Sequence, residues 1–351
     1  MNRLATISSK VLLTIACLYI LSLPLLAFES TPQQTHENKA ETKGKSNIEI
    51  KEWTVPWPDT RPRDPAVDSK GVVWFCGQVG NYIASLDPKT GKFKQFELPN
   101  GTYPHNLIID NDDFIWYAGN RNSHIGRLDP TSGDIERIEM PSKNPIDPHT
   151  LVFDTDNNIW FTAQWGNKVG RLNVNDRKVD LVDSPLPESR PYGIKIDSNN
   201  QPWIVLFGTN ILARVDAESL QFSLYSLPQE QQRPRRLEID AQDQVWYLDH
   251  ESGYLGRYQP KSQRFSQWLL PEKDDANLYG SAIDSQQRIW LAVTGISPNQ
   301  LRVFDIESES FVDSVTVASG GGTIRYMYYH KADDTVWFGT DSNTIGRAKL
   351  K

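Results

Sequence analysis

The feature that most constrains this sequence is a hydrophobic residue followed by tryptophan, which recurs at an almost constant interval. Successive copies of the tryptophan are 42, 44, 43, 43, 44 and 47 residues apart. The seven copies are Trp74, Trp116, Trp160, Trp203, Trp246, Trp290 and Trp337. A period of about 40 to 50 residues is typical of architectures in which one unit buries its hydrophobic faces only by stacking on its neighbours. The chain is therefore predicted to fold as seven copies of one unit.

Each unit contains the same succession of four short strands. A turn with proline precedes an alternating strand that ends in Asp, as in "DPHTLVFD" and "RPYGIKID", and a tryptophan strand such as "NIWFTA" follows. A third strand such as "KVGRLN" and a fourth that ends in Leu-Pro or Met-Pro, such as "FKQFELP", complete the unit. Four strands per repeat are typical of propeller blades, so the fold class is predicted to be all-β, a seven-bladed β-propeller.

The chain ends supply complementary parts of one blade. The seventh unit stops at "TIGRAKLK" without a fourth strand, whereas "IEIKEWTVP" before the first unit has the fourth-strand pattern. An N-terminal strand that completes the last blade would remove an exposed sheet edge. The propeller is therefore predicted to span residues 48–351, closed by this strand.

The segment before the propeller has the layout of an export signal. Arg3 and Lys10 precede an uncharged stretch, followed by small and polar residues. This pattern predicts a signal peptide over 1–27, with an uncleaved anchor as the alternative. Residues 28–47 lack large apolar side chains and are predicted to be a flexible leader. The predicted location is periplasmic or secreted.

Composition narrows the partners and the chemistry. The formal net charge of -7 argues against nucleic acid as a partner. No membrane contact beyond the N-terminal signal is expected, and a monomer is predicted. If the signal is removed, Cys76 is the only cysteine left, which excludes an intramolecular disulfide and favours a small buried side chain.

Repetition also separates architectural residues from candidate functional residues. The Asp that ends the first strand and the Arg of the third strand recur, which favours structural roles. The residue after the turn proline varies, and the first strand of each blade lines the channel of a propeller. These residues are predicted to form a ring at the channel mouth. They are Arg63, His105, His149, Tyr192, Arg235, Tyr279 and Arg325.

Two further sets of positions vary around the ring. Among the residues before the proline, Asp147 is the only carboxylate. Gln164 belongs to a set four residues after each tryptophan, whose direction depends on whether the strand contains a bulge. His124 and His250 have no matching partner in other units and are expected at the surface.

The segment "IWFTAQWGNKVGRL", together with the Pro-His and Pro-Tyr-Gly turns, resembles the repeats of the virginiamycin B lyase (streptogramin lyase) family. The resemblance covers all seven units. Enzymes of that family open a cyclic depsipeptide by elimination with a divalent metal, so it implies Mg²⁺ as a cofactor. It implies His149 as general base with His105 on the adjacent blade, Tyr192 on the substrate side, and Asp147 and Gln164 at the metal.

The sequence departs from the family pattern at the expected metal ligands. The family's tryptophan strands usually continue Trp-Phe-Thr-Glu, and none of the seven strands here has that Glu. Mg²⁺ prefers anionic oxygen ligands, and Asp147 alone would hold it weakly. An arginine such as Arg63 or Arg235 could supply positive charge in its place.

Two functions are therefore open. The first is an exported lyase-like enzyme that opens a cyclic ester or depsipeptide, with His149 and His105 as catalytic residues. Its substrate-binding residues would be Tyr192, Arg63, Arg235, Tyr279 and Arg325. The second is a non-catalytic propeller whose arginine-rich mouth binds an anionic small molecule, glycan or peptide. In that case His149 and His105 complete turns by bonding backbone groups, and Asp147 caps a turn.

Overall fold

The computed structural model describes residues 33–36 and 46–351, and its inner strands form a closed ring. Each inner strand contacts the inner strands of the two neighbouring sheets, and the seventh contacts the first. Among the described residues, one short 3-10 helix, Lys273–Ala276, interrupts an otherwise all-β structure. The predicted seven-bladed β-propeller is confirmed.

The blades follow each other along the chain, and each runs from the channel outward. Blade one consists of Pro62–Val67, Val73–Gly77, Tyr82–Asp87 and Lys92–Glu97. Blade two consists of Pro104–Ile109, Ile115–Gly119, His124–Leu128 and Ile135–Glu139. Blade three consists of Pro148–Phe153, Ile159–Ala163, Lys168–Leu172 and Val179–Asp183. Blade four consists of Pro191–Ile196, Pro202–Leu206, Ile211–Val215 and Phe222–Ser226.

The remaining three blades have the same order of strands. Blade five consists of Pro234–Ile239, Val245–Asp249, Tyr254–Gln259 and Arg264–Leu269. Blade six consists of Ser281–Ile283, Arg288–Val293, Gln300–Asp305 and Ser310–Thr316. Blade seven consists of Met327–His330, Thr335–Gly339, Thr344–Leu350 and, as its outermost strand, Ile48–Thr54.

The first and last parts of the propeller share blade seven. Ile48–Thr54 pairs antiparallel with Thr344–Leu350 along its whole length. Earlier in the chain, Gln33–His36 runs parallel to Arg264–Leu269, beside the outer strand of blade five. The predicted signal peptide, 1–27, and the rest of the predicted leader lie outside the described residues. No helix in the described ranges is both long and apolar enough to span a bilayer.

The tryptophans lie in the core between adjacent blades. In blades one to six the indole Nε1 donates a hydrogen bond of 2.7 to 3.0 Å to the Asp that ends the inner strand. The recurring Arg of the third strand packs over the indole face, as Arg171 does 5.4 Å from the ring of Trp160. Cys76 is fully buried, as expected. In blades one to six the repeated residues therefore connect the inner strand to the tryptophan strand.

Blade seven departs from this arrangement. His330 occupies the position of the Asp, and its Nδ1 bonds Asp333 at 2.7 Å instead. The buried Nε1 of Trp337 consequently has no hydrogen-bond partner within residues 46–351.

Candidate functional site

A cavity of about 560 Å³ opens at the channel end where the turn prolines lie. All seven residues that follow the turn position line it, so the structure brings the predicted ring together. Asp147 and Gln164 line it as well. The rest of the wall comes from Arg61, Gln78, Tyr103, Asn120, Arg121, Pro145, Ile146, Trp165 and Gly166.

An irregularity in the inner strands explains why side chains converge here. In blade three the pairing register shifts between Pro148 and Leu151, so His149 and Thr150 together lie opposite the single residue Thr162 of the tryptophan strand. Such a bulge changes the direction of side chains relative to strict alternation. His149 reaches the cavity at the proline end of the channel, and Thr150 lines a second cavity at the opposite end.

His105, His149 and Tyr192 form a stack across three adjacent blades. The two imidazole centroids are 3.7 Å apart, and the His149 ring is 4.0 Å from the Tyr192 ring. All three side chains are at least nine-tenths buried.

Both ring nitrogens of His105 are hydrogen-bonded. Its Nδ1 lies 3.1 Å from the carbonyl oxygen of His149, and its Nε2 lies 3.1 Å from Nη1 of Arg63. A carbonyl only accepts and a guanidinium only donates, so Nδ1 carries the proton and Nε2 accepts. Burial, followed by the charge of Arg63, lowers the pKa of His105 well below its usual value, which keeps the ring neutral.

His149 is bonded on one side only. Its Nδ1 lies 2.8 Å from Oγ1 of Thr150, whereas its buried Nε2 has no hydrogen-bond partner in the described part of the chain. Burial, then the charges of Arg236, Arg63 and Arg235, lower the pKa of His149 well below its usual value. A neutral imidazole with one free nitrogen therefore forms part of the cavity wall.

Arg235 is held by aromatic rings. Its guanidinium lies 3.6 Å from the ring of Tyr279 and 5.3 Å from that of Tyr192, and its Nη1 donates to Nε2 of His250 at 3.0 Å. The hydroxyls of Tyr192 and Tyr279 are hydrogen-bonded to each other. Burial raises the pKa of Tyr279 to about 12. Burial also acts to raise the pKa of Tyr192, but the surrounding arginines together lower it.

The other cavity arginines differ in their partners. Arg63 is buried and pairs with Asp64 at 2.9 Å, and Arg325 is paired with Asp341 through both carboxylate oxygens. Arg121 instead lies 3.8 Å from the ring centroid of Tyr103. Arg121 and Arg235 form no ion pair with any described residue, so positive charge at the mouth exceeds its local compensation.

The carboxylate of Asp147 is hydrogen-bonded to the loop that follows the tryptophan strand of its own blade. Its carboxylate accepts hydrogen bonds from the backbone N–H of Trp165 at 2.9 Å and of Gly166 at 2.7 Å. Burial raises the pKa of this carboxyl. The arrangement is that of a loop cap, the alternative role considered for this residue.

These donors do not fit a Mg²⁺ ion. Among the described residues, Asp147 is the only carboxylate of the cavity wall, both of its oxygens already accept N–H groups, and five arginines line the space. Within residues 46–351, no group of three or more His, Cys, Asp or Glu side chains is placed to hold a metal ion. Mg²⁺ binding by Asp147 and Gln164 stays a prediction.

The sequence did not reveal four residues that support the site. Asp64, Asn106, Thr150 and Arg236 each lie one position beyond the residues of the ring, and all are buried. Strict alternation would direct them away from the cavity residues, whereas the bulge allows both neighbours to reach the channel. An unexplained charge two residues after the proline, as in "RPRRLEID", was the available signal.

The expectation that His124 and His250 lie at the surface is wrong. His124 is fully buried, and its ring fills the space a side chain at Gly119 would need. His250 is partly buried and bonds both Arg235 and, through Nδ1, the carbonyl of Leu278 at 3.2 Å. Gly119 leaves space for the ring of His124 in blade two. In blade five, Arg235 on the neighbouring strand provides a hydrogen-bond partner for His250.

Fold and site together define a seven-bladed β-propeller with a cationic, aromatic cavity at one end of its channel. The family model described as the virginiamycin B lyase family matches residues 33–301. The chain belongs to this family, as its sequence motifs indicated. No curated protein sequence matches the chain.

Solved structures share the fold at low sequence identity. Selenomethionine-substituted virginiamycin B lyase from Staphylococcus aureus is 22% identical with a TM-score of 0.78, covering 87% of this chain and 100% of that one. A catalytically inactive histidine-to-alanine variant of that enzyme, solved with quinupristin, is 23% identical with the same TM-score and coverage. Kuenenia stuttgartiensis hydrazine synthase, 11% identical with a TM-score of 0.70, covers 84% of this chain and 96% of that one. At these identities the likeness establishes the fold alone.

Proposed function

We propose that the protein binds an anionic, peptide-like small molecule in the cavity at the mouth of its channel. The observation that carries the proposal is the charge of the wall: five arginines line the cavity, and two of them, Arg121 and Arg235, have no carboxylate partner among the described residues. The oxygens of Asp147 are already engaged by backbone N–H groups. A low-dielectric cleft lined by one sign of charge concentrates ligands of the other sign. Arg235 is the central anchor, because it lies inside the cavity without a carboxylate partner among the described residues.

Trp165 indicates that part of the ligand is apolar or planar. Its side chain is 68% exposed at the cavity rim, and Arg190 lies 4.6 Å from its ring. A large exposed aromatic side chain beside a cationic cavity is suited to stacking on a ligand ring. Trp165→Ala should weaken binding about fivefold, since stacking contributes roughly 1 kcal/mol. A variant that binds like the unaltered protein would remove Trp165 from the site.

The anion proposal is tested by comparing matched probes. N-acetylated dipeptides with a free carboxylate and the same dipeptides as C-terminal amides are titrated against the full chain by calorimetry. The carboxylate should bind more tightly, and Arg235→Met should remove this preference, a loss of about 10- to 100-fold for a charge-assisted bond. Arg347→Met is the matched control, because Arg347 packs over Trp337 outside the cavity. Equal binding of acid and amide would refute the proposal.

The second candidate function is elimination on a cyclic ester or depsipeptide, with His149 as the general base. It is supported by the stack of His105, His149 and Tyr192 beside Arg235, and by Nε2 of His149, which has no hydrogen-bond partner among the described residues. The lowered pKa of His149 makes it a weak base at neutral pH. Of the two predicted catalytic histidines, His105 has no free nitrogen.

A streptogramin B inactivation assay with and without Mg²⁺, beside His149→Ala, tests this candidate. Turnover that the substitution abolishes would establish a lyase with His149 in its mechanism. Absence of turnover by the unaltered protein would remove the lyase candidate. Turnover unchanged by the substitution would exclude His149 as the base.

A further inference from the structure

We propose that Arg236 and Thr150 hold His149 in the tautomer with its proton on Nε2, so that His149 donates a hydrogen bond into the cavity. Ligands with a carbonyl or carboxylate oxygen at that point are selected. The ligand part of this inference rests on the proposed function, whereas the tautomer does not. Arg236 and Thr150 are positioning residues that act through His149.

The direction of the hydrogen bonds follows from the donors available. Nη1 of Arg236 lies 3.0 Å from Oγ1 of Thr150, which in turn lies 2.8 Å from Nδ1 of His149. A guanidinium only donates, so it occupies a lone pair of the hydroxyl and leaves the single hydroxyl hydrogen for Nδ1. In the reverse arrangement the buried hydroxyl hydrogen would have no acceptor among the described residues. Nδ1 therefore accepts, and the proton of the neutral ring is on Nε2.

Contacts with two other blades hold the guanidinium of Arg236 in place as a hydrogen-bond donor to Thr150. It starts on blade five, and its Nε donates to the carbonyl oxygen of Arg325 on blade seven at 3.2 Å. Its Nη2 lies 3.8 Å from Asp64 on blade one, and Asn106 holds the same carboxylate oxygen at 3.0 Å. A guanidinium is always protonated in proteins, so the orientation it imposes on Thr150 does not depend on pH in the ordinary range.

Burial, followed by the arginine charges around His149, lowers its pKa well below the usual value, so the ring is neutral at neutral pH and only the choice of tautomer is left open. Arg63, Arg235 and Arg236 are the charged groups that act on the ring, and His105 and Tyr192 pack against its faces. His105 is held in the opposite tautomer, because its Nδ1 donates to the carbonyl of His149. Two stacked histidines therefore differ in the nitrogen that carries the proton.

This assignment distinguishes the two candidate functions. An Nε2–H group satisfies a ligand oxygen and assists Arg235 in binding an anion. The same group cannot accept a substrate proton, which a general base in this position has to do. The hydrogen-bond chain through Thr150 therefore favours binding, or proton donation to a substrate oxygen, over proton abstraction.

The tautomer is measured directly by multiple-bond ¹H–¹⁵N correlation spectra of the full chain labelled at histidine. The sequence contains six histidines, and His149→Gln identifies the signal of His149. At neutral pH, Nε2 of His149 should show the shift of a protonated nitrogen and Nδ1 that of an unprotonated one. The opposite pattern in the unaltered protein would overturn the inference, and this measurement needs no variant of Thr150.

Two nearly isosteric variants test the positioning role. Thr150→Val removes the hydroxyl and should shift His149 toward a mixture of tautomers. Thr150→Ser keeps the hydroxyl and should therefore keep His149 in the Nε2–H form. A merely structural role of Thr150 would leave the nitrogen shifts of His149 unchanged in Thr150→Val, and that result would overturn the inference. The spectrum of His105 serves as the internal control, because its tautomer does not depend on this hydroxyl.

Binding separates this inference from the proposed function. N-acetyl dipeptide carboxylates should bind Thr150→Val about 10-fold more weakly than Thr150→Ser. Equal affinity of the two variants would overturn the selection of ligands through His149. Absence of binding to the unaltered protein, with the Nε2–H tautomer present, would refute the proposed function and support the tautomer assignment.

Discussion

The two ends of the inner strands differ in how strictly the blades repeat each other. At one end, six blades place an Asp under an indole Nε1 in the same geometry. At the other end, the seven positions after the turn hold arginine, histidine and tyrosine in an irregular order and face one cavity. Repetition marks the contacts that every blade needs, and variation marks the surface that is free to recognise a ligand.

Asp64 does not follow this division. It occurs in blade one alone, within the inner strand, and yet it has a structural role. It is fully buried and accepts hydrogen bonds from Arg63 at 2.9 Å and Asn106 at 3.0 Å. Asp64→Ala leaves buried guanidinium groups uncompensated and should lower the free energy of unfolding by about 3–5 kcal/mol. Denaturant unfolding measures this loss.

The exposed Asp112 provides the control for Asp64. Asp112→Ala should change the free energy of unfolding by less than about 0.5 kcal/mol. If Asp64→Ala lowers the free energy of unfolding by less than about 1 kcal/mol, Asp64 has no structural role, and the residues that vary between blades serve ligand recognition alone.

The repeated end is tested by Asp154→Ala in blade three. The carboxylate of Asp154 accepts hydrogen bonds from Nε1 of Trp160 at 3.0 Å and from the backbone N–H of Asn158 at 2.8 Å. Its removal should cost about 2–4 kcal/mol of unfolding free energy, since buried donors lose a charged acceptor. Ligand affinity, measured well below the unfolding transition, should not change. A parallel loss of affinity would contradict the division between the two ends.

Stability should fall as the pH falls below about 6.5, because several buried histidines bind a proton only after unfolding. Burial lowers the pKa of His124 to about 4 and that of His250 to about 4. The unfolded ring titrates near 6.5, so acid favours the unfolded chain by about 2 kcal/mol per buried histidine between pH 6.5 and pH 5. Unfolding free energies measured across this range test the effect.

His124→Gln and His149→Gln locate the pH effect in the molecule. His124 lies away from the cavity and His149 lines it, yet each substitution should reduce the pH slope by up to one proton. If only His149→Gln changes the slope, the acid sensitivity belongs to the channel and not to burial in general.

The smallest effect is expected at blade seven, where the repeat is interrupted. His330→Asp, combined with Asp333→Asn to avoid adjacent like charges, provides an acceptor for Nε1 of Trp337, which has none within residues 46–351. The double variant should gain about 1 kcal/mol of unfolding free energy relative to Asp333→Asn alone. A loss would show that blade seven is adapted to its histidine.

The sequence predicted the fold and much of the cavity wall, because both depend on the repeat. The spacing of the tryptophans indicated seven blades, and alignment on the turn placed His105 and His149 on adjacent blades. The direction of the second set of residues could not be predicted from alternation. In the structure Gln164 lines the cavity, whereas His250 bonds Arg235.

The hydrogen-bond partners of the cavity residues could not be predicted from the sequence for a different reason. Arg236 contacts Thr150 across the channel, 86 positions away along the chain. Such a contact depends on the diameter of the ring and on the bulges in the inner strands of blades three and five, and neither has a local sequence pattern. Of the cavity residues, the sequence could identify types and positions but not the proton positions on His105 and His149.

The outermost strand of blade seven, Ile48–Thr54, determines when the ring can close during folding. Glu52 and Thr344, which are hydrogen-bonded to each other, are 292 positions apart. At about 5–20 residues synthesised per second, Ile48–Thr54 waits roughly 15–60 seconds for its partner strand to be made. During that interval six blades can stack one after another, but the ring stays open and one sheet edge is unpaired. Synthesis of Thr344–Leu350, followed by this single strand pairing, is thus the step that converts a stack of blades into a closed channel.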